Sequence, residues 1–162
     1  MPKLSRVVYV FVIFIIVGCG YAPKGKGPVF QLNPTQDGMS TLHHYRITSS
    51  CGGGAAFTLI SNDEVVTIIG NGGYYTQHLN PGTYEYKTIF QSHAINLPLI
   101  MIGQAIDNSK AKAKPVYTIT TESNETYFLR WNACFAKKIV EVVPEEIAFK
   151  ELKGLKAFEP IK

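Results

Sequence analysis

Apolar and polar residues alternate along much of the chain after residue 38, and Gly, Pro, Asn and Asp break the alternation at short intervals. A period of two is the mark of a strand with one face in a core, and such breaks mark the turns between strands. Thr83 to Phe90 is the clearest case: Tyr84, Tyr86 and Thr88 share one face, and Glu85, Lys87 and Ile89 share the other. In Tyr127 to Trp131, residues Tyr127, Leu129 and Trp131 face one way, and Phe128 and Arg130 the other. The same reading predicts strands over Leu42–Thr48, Ala55–Ile60, Val65–Ile69, Tyr74–Leu79, Val116–Thr121 and Cys134–Val143. Ser49–Gly54 and Ser61–Asp63 close two of them. Asn71-Gly72-Gly73 has the chemistry of a hairpin turn, and Asn80-Pro81-Gly82 that of a type II turn.

Two segments depart from this pattern. Pro144 opens a predicted helix over Glu145–Lys153: proline suits a first helical turn, the two early glutamates suit the positive helix end, and Gly154 ends it. Ala94 to Ile106 is denser in apolar residues than a surface loop. Asn96 as cap, Pro98 in the first turn, and Leu99, Ile102 and Ile106 on one face predict a short apolar helix. A basic stretch, Asn108 to Lys114, follows it. The expected fold is mainly β: a small antiparallel β-sandwich, immunoglobulin-like or transthyretin-like, with one inserted apolar helix and a carboxy-terminal helix.

The amino terminus reads differently. Lys3 and Arg6 precede Val7–Val17, an unbroken apolar and aromatic run. That run is shorter than the about 20 residues that span a bilayer and suits the core of a signal peptide. Ile16-Val17-Gly18-Cys19 resembles the lipobox of bacterial lipoproteins. The resemblance implies cleavage before Cys19 and acylation of its sulfur and new amino group. Residues 1–18 are then a signal peptide, 19–38 a lipidated flexible tether rich in Pro and Gly, and 39–162 the sandwich domain. Some 18 flexible residues reach about 20–25 Å. Gly20 stands where Asp typically retains such proteins in the inner membrane. By resemblance the chain belongs on the outer membrane with its domain facing the periplasm.

The body carries a second resemblance. A strand with Tyr45-Arg46, then Asn71-Gly72-Gly73-Tyr74-Tyr75, then Asn80-Pro81-Gly82-Thr83-Tyr84, a hydrophobic insert, Asn124-Glu125-Thr126-Tyr127-Phe128-Leu129-Arg130-Trp131 and a charged helix follow in that order. This resembles the bacterial lipoprotein family catalogued as domain of unknown function 2846, over about residues 40–155. Asn124 and Glu125 stand where that family usually has Gly and Lys. The resemblance implies a fold and a location, and no activity.

Composition changes the picture little. Loss of Lys3 and Arg6 leaves 14 basic residues against 12 acidic, too small an excess for a nucleic-acid partner. In an oxidising compartment the two remaining cysteines, Cys51 and Cys134, read as a disulfide. His43 and His44 are adjacent on one strand and so point to opposite faces; they are expected to be exposed, with no metal. Asp63-Glu64 and Glu145-Glu146 lie at a turn and a helix start, where solvation and capping explain them. No nucleophile elbow or phosphate loop is present, so no enzyme and no cofactor are expected. The tyrosines at 74, 75, 84, 86, 117 and 127 are expected to serve mostly as core. Two readings of function remain open. One is a structural or protein-interaction module of the envelope, bound to membrane through acyl chains on Cys19 and to another envelope protein. The other is a lipoprotein for a small apolar ligand or lipid, with Ile95, Leu97, Leu99, Ile100, Ile102 and Ile106 as lid or pocket wall.

Overall fold

The computed structural model describes residues 24–32, 34–51, 53–92, 113–132 and 139–159. Nine strands and one helix occupy them: β1 Ser40–Arg46, β2 Ala55–Ser61, β3 Glu64–Ile69, β4 Gly73–Leu79, β5 Gly82–Ser92, β6 Pro115–Thr121, β7 Thr126–Trp131, β8 Val140–Val142, α1 Glu145–Leu152 and β9 Lys156–Ala157. They build two sheets. One has the order β8-β7-β1-β4-β9 and the other β3-β2-β5-β6. Pairing is antiparallel except for β1 with β7 and β4 with β9. The mainly β, two-sheet expectation holds. The inserted helix expected over Ala94–Ile106 lies outside the described residues, as do Cys19 and Cys134.

The core between the sheets follows the alternation. Leu42 of β1, Leu59 of β2, Ile69 of β3, Tyr86 of β5, Ile119 of β6, and Leu129 and Trp131 of β7 interdigitate there. A second cluster lies on the far side of the five-stranded sheet. Tyr45, Tyr74 and Phe128 project from that face against Ala148, Leu152 and Leu155 of the helix region, with Phe30 and Phe149 packed alongside. Helix α1 starts at Pro144 with glutamates in its first turn, and Gly154, at φ +86°, turns the chain out of it. The domain is therefore three-layered over β1, and all seven residues of that strand are buried.

Three connections were drawn differently by the sequence. The hairpin expected at Asn71-Gly72-Gly73 is a crossing between sheets: β3 ends in the four-stranded sheet and β4 begins in the other. The Asn71 side chain accepts from the Ser49 amide and donates to the Ser49 carbonyl, so it ties the corner to the preceding turn rather than to a strand pair. The tight hairpin sits at Asn62-Asp63 between β2 and β3, where Ser61 pairs with Glu64. Both turn residues have positive φ, +46° and +68°, the left-handed geometry that two-residue hairpins require and Asn and Asp tolerate. At the Asn80-Pro81-Gly82 turn, Gly82 opens β5 and is absent from the positive-φ glycines, so the turn is not type II, which needs that sign.

Part of the segment expected as tether is docked on the domain. Gly27 N–H donates to the Ala157 carbonyl, Ala157 N–H to the Pro28 carbonyl, and Phe30 N–H to the Leu155 carbonyl. Val29 bridges Lys156 antiparallel. Phe30 meets His43 and Tyr74 edge to face, each with ring centroids 5.1 Å apart. Residues 27–30 thus belong to the outer layer. Pro and Gly made them look unstructured, yet short isolated pairings against β9 hold them.

Gly73 fixes this corner. A Cβ there would meet the Phe158 ring and lie 2.9 Å from the Lys156 carbonyl oxygen. That carbonyl belongs to the paired strand β9 and cannot retreat without breaking the pairing. Gly73→Ala should cost about 1–3 kcal/mol, the usual range for overpacking, as a lower urea midpoint with unchanged m. An unchanged midpoint would show that β9 is not held against β4.

Candidate functional site

The polar chemistry of the molecule gathers on β1 and β4. In their antiparallel register, Thr41 stands opposite His78, His43 opposite Thr76, and His44 opposite Tyr75. On the outer face two cross-strand pairs repeat the same contact. Thr41 Oγ1 lies 3.1 Å from His78 Nδ1, and Thr76 Oγ1 lies 2.8 Å from His43 Nδ1. The His43 ring stacks on Phe128 at 5.1 Å. On the inner face Trp131 Nε1–H donates to His44 Nδ1 at 3.3 Å. That donor fixes the proton of His44 on Nε2, which donates to Gln77 Oε1 at 2.9 Å; the Tyr86 hydroxyl donates to the same oxygen at 2.9 Å.

The two histidines do point to opposite faces, but neither is exposed. His43 is 2% exposed and His44 0%. The correction has a simple cause: β1 is the middle strand of its sheet and is covered on both sides. Burial lowers the pKa of His43 to about 4, helped by the neighbouring His78. Burial lowers that of His44 to about 3, against its bond to Gln77. Both imidazoles are neutral near pH 7.

A charged network closes the outer layer over β7. Arg130 Nε and Nη2 donate to Glu141 Oε1 at 2.9 and 2.7 Å, and Nη1 donates to Glu151. The Tyr45 hydroxyl donates to Glu151 Oε2 at 2.6 Å. Burial, then that carboxylate, pushes the Tyr45 pKa far up, so it remains a donor. Burial opposes ionisation of Arg130, but Glu141 and Glu151 outweigh it and raise its pKa. The set joins α1, β8, β7 and β1, and each carboxylate accepts from donors within it.

The described residues include two clefts open to a ligand. One, of about 240 Å³, lies on the outer face and is walled by Gln31, Thr41, His43, Thr76, His78 and Phe158. The other, of about 320 Å³, lies at the flank where β3 and β4 leave the two sheets, among Glu64, Val66, Tyr75, Gln77, Leu79 and Tyr84. Of the tyrosines, Tyr86 and Tyr74 are core, as expected, while Tyr75 and Tyr84 line this flank. Cys51 sits in the exposed turn after β1. Segment 95–106, Cys19 and Cys134 lie outside the described residues. Among the described residues no group of three or more His, Cys, Asp or Glu is arranged for a metal, and no helix is long and apolar enough to cross a membrane. No known protein family, curated protein or solved structure was found to match the chain.

The buried imidazoles set a pH dependence. The unfolded chain takes up two protons near pH 6.5 that the fold refuses until about pH 4 and 3. More protons on the unfolded state means stability rises with pH and is lost as pH falls below about 6.5, at about 1.4 kcal/mol per unit for each histidine. Urea unfolding at pH 7 and pH 5 should differ by about 3–4 kcal/mol on this account. A flat profile over that interval would mean the imidazoles are not held neutral.

Proposed function

We propose that the chain is a bacterial lipoprotein precursor whose mature β-sandwich is held on the outer membrane, facing the periplasm, by acyl chains on Cys19. There it serves as a non-catalytic structural or protein-interaction module for another envelope protein. The observation that carries the anchor is the order Lys3 and Arg6, the apolar run Val7–Val17, then Gly18-Cys19. Several acyl chains, each gaining about 0.8 kcal/mol per buried methylene, make such attachment effectively permanent.

The docking of residues 27–30 adds a geometric consequence. No more than seven residues, 20–26, separate Cys19 from the pairing of Gly27 with Ala157, and Gly25 is already packed against the Lys156 carbonyl. Even fully extended, such a linker spans no more than about 25 Å. The outer layer, with β9 and the docked strand, would therefore stand close to the lipid surface, and the four-stranded sheet would look away from it.

The non-catalytic reading draws on the chemistry of the polar groups. The inner-face histidine, Gln77 and Tyr86 are consumed by one another, and Arg130 by two carboxylates, so each does structural work. The small-ligand alternative draws on the flank cleft, whose size approaches the lower end of ligand pockets, about 300 Å³. Its walls include Glu64, Gln77 and two tyrosines, poorly suited to an apolar guest.

The reading includes a Cys51–Cys134 disulfide. Strands β1 and β7 are parallel neighbours, with Tyr45 in register with Arg130. Parallel neighbours end on the same side of their sheet, and in the sequence Cys51 follows β1 and Cys134 follows β7. The bond would close a long loop and contribute about 4–5 kcal/mol in the chain-entropy account.

Cys19→Ala should leave an unprocessed precursor that takes up no labelled palmitate; undiminished labelling would end the lipoprotein reading. For the module itself, Leu99→Ser with Ile102→Ser separates the roles of the apolar insert. As an interaction surface, the insert should lose partner recovery from cross-linked cells at unchanged thermal stability. A loss of several kcal/mol, in line with about 2–5 per core truncation, would make it core instead. Thiol titration of the purified protein should find neither Cys51 nor Cys134 free.

A further inference from the structure

A strand at the edge of a sheet carries a row of unpaired N–H and C=O groups, ready to pair with another strand. The two sheets here end in β8 and β9 and in β3 and β6. Three of these edges are blunted. β8 has three residues and β9 two, and Val29 bridges β9 as well. β3 opens with Glu64, and its Thr67 hydroxyl donates to the Glu159 carbonyl, so the carboxy-terminal run meets it. The edge of β6 is different. Its seven residues, Pro-Val-Tyr-Thr-Ile-Thr-Thr, carry no charge and are mostly β-branched or aromatic. They pair with β5 on one side and with no strand among the described residues on the other.

The hydrogen bonds of β5 show which groups of β6 face that open side. Glu85 N–H donates to the Asn62 side-chain oxygen, and the Glu85 carbonyl accepts from the Asn62 N–H. Both backbone groups of Glu85 therefore point toward β2, and Glu85 stands opposite Thr118 as a non-hydrogen-bonded pair. By the same alternation the N–H and C=O of Thr118 point away from β5, and those of Thr120 follow. The Thr83 and Thr120 hydroxyls lie 3.1 Å apart, as fits a non-hydrogen-bonded pair, whose side chains are the closer ones. Thr118 and Thr120 are exposed. The irregularity in the β5–β6 ladder falls between Tyr86 and Lys87, at the Pro115 end, which leaves Tyr117 to Thr121 in regular register.

We propose that β6 pairs with β6 of a second copy of this chain, antiparallel about a two-fold axis at Thr118, joining two four-stranded sheets into one of eight. The ends of the strand select both the occupant and the register. Lys114 precedes β6 and Glu122 follows it, and both are exposed. Pairing centred on Thr118 sets Lys114 of each copy opposite Glu122 of the other, and Tyr117 opposite Ile119. Centring one residue to either side would set Lys114 opposite Asn124 or Thr120 instead. The segment is thus complementary to itself in charge, as a two-fold interface requires. At the axis the Thr118 N–H of each copy donates to the Thr118 carbonyl of the other, so the outward groups are the ones that meet. Such strand addition draws its affinity from the main chain and its register from the side chains.

Sedimentation velocity of the purified full chain in detergent, over a dilution series, should show a monomer–dimer equilibrium. Thr118→Pro removes the donor at the axis. Proline is tolerated on an edge strand where the N–H looks outward, so the melting temperature should hold while association is lost. Lys114→Glu and Glu122→Lys should each weaken the dimer about tenfold, as two exposed attractions turn into repulsions. The double variant should restore it, an outcome that association through detergent or through another surface would not give. In Thr118→Cys, mild oxidation should link the copies through residue 118, seen by mass as a cross-linked peptide. Hydrogen-bonded partners have Cα atoms about 5.5 Å apart, within reach of a disulfide. A monomer at every concentration overturns the proposal. So does a dimer that Thr118→Pro leaves intact, or a double charge variant that associates no better than either single one. Should Thr118→Pro fail to fold, the charge series decides by itself.

Discussion

The rest of the molecule depends on the pairing of β1 with β4. β1 lies between two layers, so each of its side chains must find its partner inside the protein. Its sequence, Ser-Thr-Leu-His-His-Tyr-Arg, is mostly polar. Burying such groups unpaired is costly, and the antiparallel register supplies the partners one by one. Ser40 donates to the Leu79 carbonyl, Thr41 meets His78, His43 meets Thr76, and His44 meets Gln77. Arg46, beyond the last of these, donates to the Ala55 carbonyl at 2.6 Å and lies over the Phe57 ring. A one-residue slip would put every one of these groups opposite the wrong neighbour, so the pairing specifies the register more sharply than an apolar strand could.

That central strand also explains why the layers assemble as they do. Its odd-numbered side chains look outward and its even-numbered ones inward. Leu42 and His44 therefore reach Trp131 and Tyr86 between the sheets, whereas His43 and Tyr45 reach Phe30, Phe128 and Glu151 outside. The outer layer cannot leave without exposing two imidazole and phenol contacts at once. Helix α1 is only eight residues long, too short to be stable by itself in water. Its apolar contacts with Tyr45 and Phe128 and the bond from Arg130 to Glu151 hold it in place.

Strand positions were legible because alternation is a local signal, and the observed strands match the expected ones to within a residue or two at most ends. Helix α1 was legible from Pro144, Glu145, Glu146 and Gly154. Sheet membership was not. Asn71-Gly72-Gly73 and Asn62-Asp63 carry comparable turn chemistry, and which one makes a hairpin depends on whether the next strand finds its partner in the same sheet. The burial of His43 and His44 was hidden for a related reason. Two adjacent histidines on an alternating strand look solvent-facing unless the strand is central and covered on both sides, and residues far along the chain, Phe30 and Phe149 among them, do the covering. The one available signal was that β1 has polar residues at both parities while β4 offers Thr, Gln and His in mirrored order, a pattern that makes sense only if the two strands lie side by side.

The polar groups on the two faces of β1 are paired differently. On the inner face every donor of the set meets an acceptor: tryptophan to histidine, histidine to glutamine, tyrosine to the same glutamine. Such a closed chain resists change, because removing any member strands the next in a medium of low dielectric. On the outer face the pairing is repeated but not closed. The threonines take up one nitrogen of each ring and leave the other. The inner chain can therefore hold the backbone of β1 and β4 in place, and the outer rings are carried on that same backbone. Rings carried on two adjacent strands need no loop to position them, and their places are set by the register that the core itself enforces.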